Sequence, residues 1–474
     1  MTVRRLTARR RLRPLRYNRR TPSSHPRREP EHGTADAPIP AVAPATSSAD
    51  DRTERVGPLL YLYLTAVLLP VWFYAGPLYL SLLRLMLLIV TVPLLLNLLR
   101  GAYGRVIPTD ILFILHILWA TIALAVNNPD QVVQQAGSVG LEFLGGYAVG
   151  RACIRSTAAF LTLCRVLLFT VVALLPFTLY ETITGAPLII RWIQAIPGIN
   201  SVVPNYADPR LGLERVQSVF AHPIHFGLYC SVALSLVFVG LRNTLSDTSR
   251  WLGSGLVVIS GFLALSSGAL LAMILQVFLF SWSVLFQSVR QRWWLLSTLI
   301  FACFIIVEFL SDRPAIRVFL SYATFSAHTG YWRLLIFEWG IANIFGSAEK
   351  AIVGSPIFGI GMNDWVRPHY MYSGTVDNFW LVIAMRYGFP GFVSLATGYC
   401  WLLWKIMQRD IAGNTTLAQI RLAWVFTFVG LTFTLCTVHV WTSVYSFAFF
   451  VFGAGAWLLD AGRVQSQPKM AIAP

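Results

Sequence analysis

Residues Ala158–Tyr180 read AAFLTLCRVLLFTVVALLPFTLY, a run in which Arg165 is the single charged side chain. A helix of about twenty such residues rises roughly 1.5 Å per residue and crosses a hydrocarbon core of roughly 30 Å. Leu59–Gly76 and Trp293–Leu310 are comparable runs, and the whole chain is 56% hydrophobic and only 12% charged. Soluble proteins need far more polar surface than this. The sequence therefore predicts an all-α, polytopic membrane protein.

Apolar segments recur along the chain, and each predicts a transmembrane helix, about a dozen in all. Their bounds are 57–77, 79–100, 107–126, 134–150, 158–180, 222–241, 251–267, 268–288, 293–310, 378–407, 420–438 and 441–460. The segment 378–407 is too long for one straight crossing and contains Gly388-Phe389-Pro390-Gly391. Because glycine and proline interrupt the backbone hydrogen-bond ladder, we expect a short helix, a break at these residues and then a full span.

Positively charged residues alternate between the short loops that join these spans. The loops that carry them hold Arg100 and Arg105, Arg151 and Arg155, Arg242 and Arg250, Arg290 and Arg292, and Lys405 and Arg409. The intervening loops Asn127–Gln131 and Val438–Thr442 hold none. Cytoplasmic loops carry the excess of Lys and Arg, so we predict that both termini lie in the cytoplasm.

The two ends of the chain differ in composition from the membrane part. Residues 1–55 contain 13 Arg and 6 acidic residues and no apolar run. Such a segment cannot offset the entropy of ordering itself, so we predict a disordered cytoplasmic tail rather than a nucleic-acid-binding arm. Residues 56–462 form the predicted transmembrane domain, and residues 463–474 a second cytoplasmic tail. The six cysteines are scattered singly, so we expect neither a disulfide nor a metal site from them.

Two predicted outer loops, residues 181–221 and 311–377, are much longer than the others. Loops of this length in a compact protein are usually functional. Both carry arginines, against the usual bias for the outer side of a membrane. Either acidic residues of the same loops or an anionic ligand would compensate these charges, and the sequence leaves both explanations open.

Four short motifs follow one another between residues 210 and 410. They are Arg215-Val-Gln-Ser218-Val-Phe220-Ala-His222-Pro223, Tyr331-Trp332-Arg333, Ser355-Pro356-Ile-Phe358-Gly359-Ile-Gly361, and Asp377-Asn378 followed after nine residues by Gly388-Phe389-Pro390-Gly391. In this order they resemble the signature of the bacterial O-antigen ligase and polymerase superfamily. Two positions depart from that signature: Ser218 stands where glycine is usual, and Asp377 where the ligases have a histidine. The first five spans match the superfamily only in general layout.

The resemblance implies an integral glycosyltransferase that acts at the outer face of the bacterial inner membrane. Its donor would be a glycan linked to undecaprenyl pyrophosphate, with a chain-length regulator and a flippase as partners and no cofactor. Because Asp377 replaces the histidine of the ligases, a polymerase of O-antigen or exopolysaccharide repeats fits better than a ligase that transfers glycan to lipid A core. A transporter of polysaccharide or lipid-linked oligosaccharide is the alternative from another class, but the two halves of the chain show no evident repeat.

Displacement of a lipid pyrophosphate needs positive charge where the leaving oxygen becomes anionic, and arginine matches phosphate oxygens in pairs. We therefore predict that Arg215 and Arg333 are catalytic. Asp377 is the candidate base for the acceptor hydroxyl, although it could instead cap the helix that follows. Further substrate-binding candidates are Arg210, His222, Arg317, Arg367, His369, Asn378 and Arg386. Arg386 has an alternative role, in which it pairs with a carboxylate or reaches the membrane interface. Nothing in the sequence demands a metal.

Overall fold

The computed structural model describes residues 57–76, 78–205, 208–315, 318–319, 327–411 and 413–462. The predicted tails 1–55 and 463–474 lie outside these residues, as does Arg317. The described chain is mostly helical. Its helices are α1 (Pro58–Leu68), α2 (Leu82–Leu99), α3 (Pro108–Asn127), α4 (Val132–Gly140), α5 (Gly146–Cys153), α6 (Thr157–Thr184), α7 (Leu188–Gln194), α8 (Pro223–Phe238), α9 (Asp247–Leu263), α10 (Ser267–Leu285), α11 (Arg292–Leu310), α12 (Ala327–Phe345), α13 (Phe379–Met407), α14 (Thr415–Leu435) and α15 (Thr442–Gly453).

Within the described ranges, 8 helices are long and apolar enough to cross a membrane. They are α2, α3, α6, α10, α11, α13, α14 and the segment Thr442–Leu459, which begins with α15. Each coincides with one of the predicted spans. The remaining predicted spans correspond to shorter helical pieces, among them α1 and α8. The protein is therefore a multi-pass helical membrane protein.

The prediction of one helix over residues 57–77 is wrong in its second half. Helix α1 ends at Leu68, and the residues after it form a hairpin of strands β1 (Val71–Ala75) and β2 (Leu78–Ser81). A third strand, β3 (Asn200–Ser201), comes from the loop 181–221 and pairs antiparallel with β1. The all-α expectation therefore misses a small three-stranded sheet, because an apolar run rich in aromatic residues suits a strand as well as a helix.

The long segment at 378–407 has the predicted break. Gly388 interrupts α13 with φ 70° and ψ 180°, which lies outside the helical region. The residues before it form a short helix and those after it a full span. Pro390 adds to the break because proline has no backbone N–H to donate. The long outer loop that precedes α13 is also not irregular throughout, since it contains α12.

Two ion pairs lie inside the described part of the helical bundle. Arg84 Nε lies 2.8 Å from Glu142 Oε1, and Glu142 belongs to the π-helical turn between α4 and α5. Arg151 Nη2 lies 3.1 Å from Asp110 Oδ2, and both side chains are buried. An unpaired charged side chain is costly in hydrocarbon, so these pairs let polar side chains of the Arg and acidic types lie within the bundle.

Loops predicted on the same side of the membrane contact one another. At the predicted outer end, β3 pairs with β1, which follows α1, and Asn128 Nδ2 donates to Asn363 Oδ1 at 3.0 Å. Among the predicted cytoplasmic loops, Arg105 lies 3.2 Å from Asp460. These contacts group the loops at two ends of the helical bundle. Such grouping is expected when successive loops lie on alternate sides of the membrane. The assignment of one end to the cytoplasm stays a prediction from the loop charges.

Candidate functional site

A cavity of about 1000 Å³ lies among the predicted outer loops. The loops 181–221 and 311–377 both line it, as does the short connection between α14 and α15. Residues predicted from the sequence that line it are Arg210, Arg215, His222, Arg333, Asp377 and Arg386. The fold thus brings both arginines predicted to be catalytic, and the candidate base, to one space.

The loop that carries Arg215 is held by a buried carboxylate. Glu181, near the end of α6, accepts hydrogen bonds from the backbone N–H groups of Gln217 at 2.8 Å and of Ser218 at 3.0 Å. Ser218 has φ 55°, in the left-handed region that favours glycine. The turn therefore has the backbone geometry that explains a glycine at this position in the motif it resembles.

His222 ends this loop and fixes the start of α8. Its Nδ1 accepts a hydrogen bond from the backbone N–H of Ile224 at 3.1 Å, so the ring is the N-cap of the helix. Pro223 follows at the first helical position, where its missing N–H would have had no partner in the helix. The cap holds the His222 ring in one place on the cavity wall.

Residues 355–361 dock on the break in α13. Ile360 N donates to Met385 O at 2.7 Å, across the two segments. Glycine is required at the contact, because a Cβ on Gly388 would lie 2.0 Å from Ile357 O. The third and fourth motifs of the sequence therefore form one structural unit. This unit carries the cavity-lining residues just before the break and just after residue 360.

Two asparagines at the end of α3 support that unit. Asn127 Nδ2 donates to Phe358 O at 3.1 Å. Asn128 Oδ1 accepts from Met362 N at 2.8 Å, and its Nδ2 bonds to the Asn363 side chain. Helix α3 thereby fixes one wall of the cavity, although its own sequence shows no functional motif.

Of the two roles left open for Asp377, the helix cap is wrong. The N-cap of α13 is Asn378, whose Oδ1 accepts a hydrogen bond from Leu381 N at 3.0 Å. Asn378 does not line the cavity, whereas Asp377 does. The amide beside it satisfies the helix end, so the Asp377 carboxylate is available to a ligand.

The cavity walls set the proton affinity of Asp377. Its side chain is exposed to the cavity space but surrounded by protein on its other sides. Loss of bulk water around the carboxyl group raises the pKa of Asp377, and the opposing effect of Arg333 is smaller. A carboxylate with a raised pKa accepts a proton more readily than an ordinary aspartate.

The arginines of the cavity are partly stripped of water. Desolvation and the neighbouring Arg210 lower the pKa of Arg215 to about 10, which leaves it a cation at neutral pH. Desolvation also lowers the pKa of Arg333, against the effect of Asp377. Nε of Arg215, and Nε and Nη1 of Arg333, are buried with no hydrogen-bond partner among the described residues. A buried donor without a partner costs free energy. The lining as a whole has four arginines against two aspartates, and this excess of positive charge favours an anion in the cavity.

The two histidines of the cavity are neutral near pH 7. Desolvation, with Arg215 and Arg210, lowers the pKa of His222 to about 4. Desolvation and Arg386 lower the pKa of His439 to about 3. Both rings offer hydrogen-bonding groups but no charge. The enclosure that strengthens Asp377 as a base therefore weakens the histidines as bases.

The structure does not bring every predicted residue into the cavity. Arg367 is paired with Asp364 and also donates to Met371 O at 3.0 Å, so the ion pairing left open by the sequence holds for this arginine. Arg367 is not part of the cavity wall, and neither is His369, which is exposed. The four arginines that do line the cavity face two aspartates, of which Asp364 is already paired.

Sequence reasoning missed several residues of the cavity wall. His439 and Trp441 come from the connection between α14 and α15, and Ser266 and Ser267 from the N-cap and first residue of α10. His439 Nδ1 is buried without a hydrogen-bond partner in the described part of the chain. The one available signal was a polar and an aromatic side chain in a short loop free of charge.

Comparison with known proteins adds no relative. No family model matches the chain, and no curated protein matches it. The assignment of function therefore depends on the cavity and on the motifs around it.

Proposed function

We propose that the protein is an integral-membrane glycosyltransferase that polymerises oligosaccharide repeats linked to undecaprenyl pyrophosphate at the outer face of the bacterial inner membrane. The observation that carries the proposal is the cavity itself. It combines four arginines with Asp377, a carboxylate of raised pKa. Residues from all four motifs that resemble the O-antigen ligase and polymerase superfamily line its wall or support it.

The arginines suit the leaving group. When the anomeric C–O bond of the donor breaks, its electron pair stays on the pyrophosphate oxygen, which becomes more negative. Arg215 and Arg333 both line the cavity, and their guanidinium groups would donate to that oxygen and its neighbours. Donors that the protein already holds in place need not reorganise as the negative charge develops, so they stabilise the transition state more than the bound donor.

Asp377 suits the acceptor. A sugar hydroxyl attacks the anomeric carbon as its proton passes to the Asp377 carboxylate, and the glycosidic bond forms as the bond to pyrophosphate breaks. Direct attack by the hydroxyl inverts the anomeric centre. The base must be deprotonated before each turnover, and the Arg333 cation helps by lowering the pKa of Asp377 against the effect of desolvation.

The carboxylate at position 377 favours a polymerase over a ligase. The ligases that the motif resembles have a histidine there, and this chain has Asp377 instead. We therefore favour a polymerase of O-antigen or exopolysaccharide repeats over a ligase that transfers glycan to lipid A core.

The test is elongation of a lipid-pyrophosphate-linked repeat by the purified protein in lipid nanodiscs. Arg215→Ala and Arg333→Ala should each lower the rate of elongation at least about 100-fold, the effect of losing one donor to a developing oxyanion. Lysine at either position should restore little, because it lacks the two-pronged contact. Arg191→Ala is the matched control, since Arg191 is an exposed outer-loop arginine on α7 and does not line the cavity.

Two results would contradict the proposal. One is normal elongation by both alanine variants. The other is movement of the intact lipid-linked repeat across a vesicle membrane with no elongation, which would make the cavity the binding site of a transporter.

A further inference from the structure

A second cavity, of about 350 Å³, lies at the opposite end of the bundle. It is formed where α3 begins and α13 ends, two helices that are both long enough to span the membrane. Its lining residues are Arg105, Val106, Ile107, Pro108, Trp401, Lys405, Arg409 and Leu459. The proposed glycosyl transfer makes no use of this cavity, which belongs to the end predicted to face the cytoplasm.

The lining carries three cations and, among the described residues, no acid. Arg105 is paired with Asp460 at 3.2 Å and is half exposed. Lys405 has no ion-pair partner within the described ranges and is exposed. Arg409 donates to Ala461 O at 3.0 Å, yet its Nε is buried and has no hydrogen-bond partner in the described part of the chain. The cavity therefore has an excess of positive charge and a donor that lacks an acceptor.

The surroundings of this cavity are those of a lipid. Pro108 lines the cavity, and Ile111, Leu115 and Leu118 continue the same face of α3 at helical spacing, with exposed fractions of 43%, 47% and 55%. An exposed apolar stripe on a membrane span contacts acyl chains. Trp401 is of the residue type that lies at the level of the headgroups. The polar headgroup of a lipid would thus contact the cations of the cavity, and its acyl chain would contact the apolar stripe along α3.

We propose that this cavity binds the phosphate headgroup of an anionic phospholipid, whose acyl chain lies along the exposed face of α3. Lys405 and Arg409 contact the phosphate oxygens, and Arg105 shares its charge between Asp460 and the lipid. Basic pockets between spans on the cytoplasmic side of a membrane suit such headgroups. A soluble phosphate compound would use the same cations but gain nothing from the stripe.

The test measures lipid retention by the full-length protein. The protein is purified in detergent, supplied with equal amounts of phosphatidylglycerol and phosphatidylcholine, and its bound lipids are counted by native mass spectrometry. The wild type should retain phosphatidylglycerol in preference. Lys405→Gln should lower that preference about five-fold, the factor that corresponds to about 1 kcal/mol for one cation near a membrane surface.

Arg242→Gln is the matched control, because Arg242 is an exposed cation of a predicted cytoplasmic loop that does not line the cavity. It should keep the wild-type preference. Equal retention of both lipids by the wild type would overturn the proposal, as would an unchanged preference in Lys405→Gln. A second arm adds inorganic phosphate without lipid, and stabilisation of the wild type by phosphate alone, with no lipid preference, would assign the cavity to a soluble anion instead.

Discussion

Replacement of Gly388 by alanine tests whether the break in α13 holds the candidate site together. Gly388 has φ 70° and ψ 180°, a conformation that costs a residue other than glycine about 1–3 kcal/mol. The added Cβ would lie 2.0 Å from Ile357 O, so residues 355–361 must move away from the helix. This movement breaks the backbone hydrogen bonds from Ile360 to Met385 and from Phe389 to Pro356, each 2.7 Å long.

Each of those hydrogen bonds contributes about 1 kcal/mol, so the substitution should lower the free energy of unfolding by about 4 kcal/mol in total. The measurement is the temperature at which the detergent-purified protein loses its monodisperse peak in size-exclusion chromatography. Gly255→Ala is the control, because Gly255 lies within α9 with no atom within 4 Å of an added Cβ. That variant should match or exceed the wild type, since alanine favours a helix over glycine. Equal melting temperatures for the two variants would refute the reasoning.

Further predictions concern strain, proton affinity and orientation. Ser218→Gly should raise stability by about 1 kcal/mol in the same chromatographic assay, because Ser218 is buried at φ 55° with an unpaired hydroxyl group; a lower melting temperature would contradict this. The rate of elongation should fall as the pH is lowered through the pKa of Asp377, and this limb should lie above the pKa of about 3.9 of an ordinary aspartate; a rate that stays constant down to about pH 4 would be evidence against Asp377 as the base. A reporter that is active only outside the cytoplasm should be active when fused within residues 320–370 and inactive when fused near residue 245, and reversed activities would overturn the orientation.

Hydropathy and segment length located the 8 described helices that are long and apolar enough to cross a membrane. A hydrocarbon core requires both properties of a span, so the sequence shows both. Hydropathy and length failed at residues 71–81, where Trp72 and Phe73 are as apolar as a span but belong to a β-hairpin that pairs with Asn200 and Ser201. The partner strand lies far away in sequence. An apolar run alone does not show which backbone conformation such a partner will stabilise.

Arginines outside the membrane run against a general bias, and among them the motifs single out Arg215 and Arg333, which both line the cavity. The cap of α13 was not predictable from the sequence. Asp377 and Asn378 are adjacent and both suit an N-cap, and the choice between them depends on where the helix begins. The short loop of His439 offers only a polar and an aromatic side chain as a signal, because the place of His439 in the cavity depends on the packing of α14 and α15 against the outer loops.

The most direct measurement of the central claim compares elongation by Asp377→Asn with binding of the same donor lipid. Asn378 caps α13, so exchange of the neighbouring carboxylate for an amide leaves the helix start intact and removes only the ionisable group. The prediction is wild-type membrane yield, donor binding no weaker than in the wild type, and no elongation above background. Full elongation by Asp377→Asn would contradict the claim that Asp377 is the base.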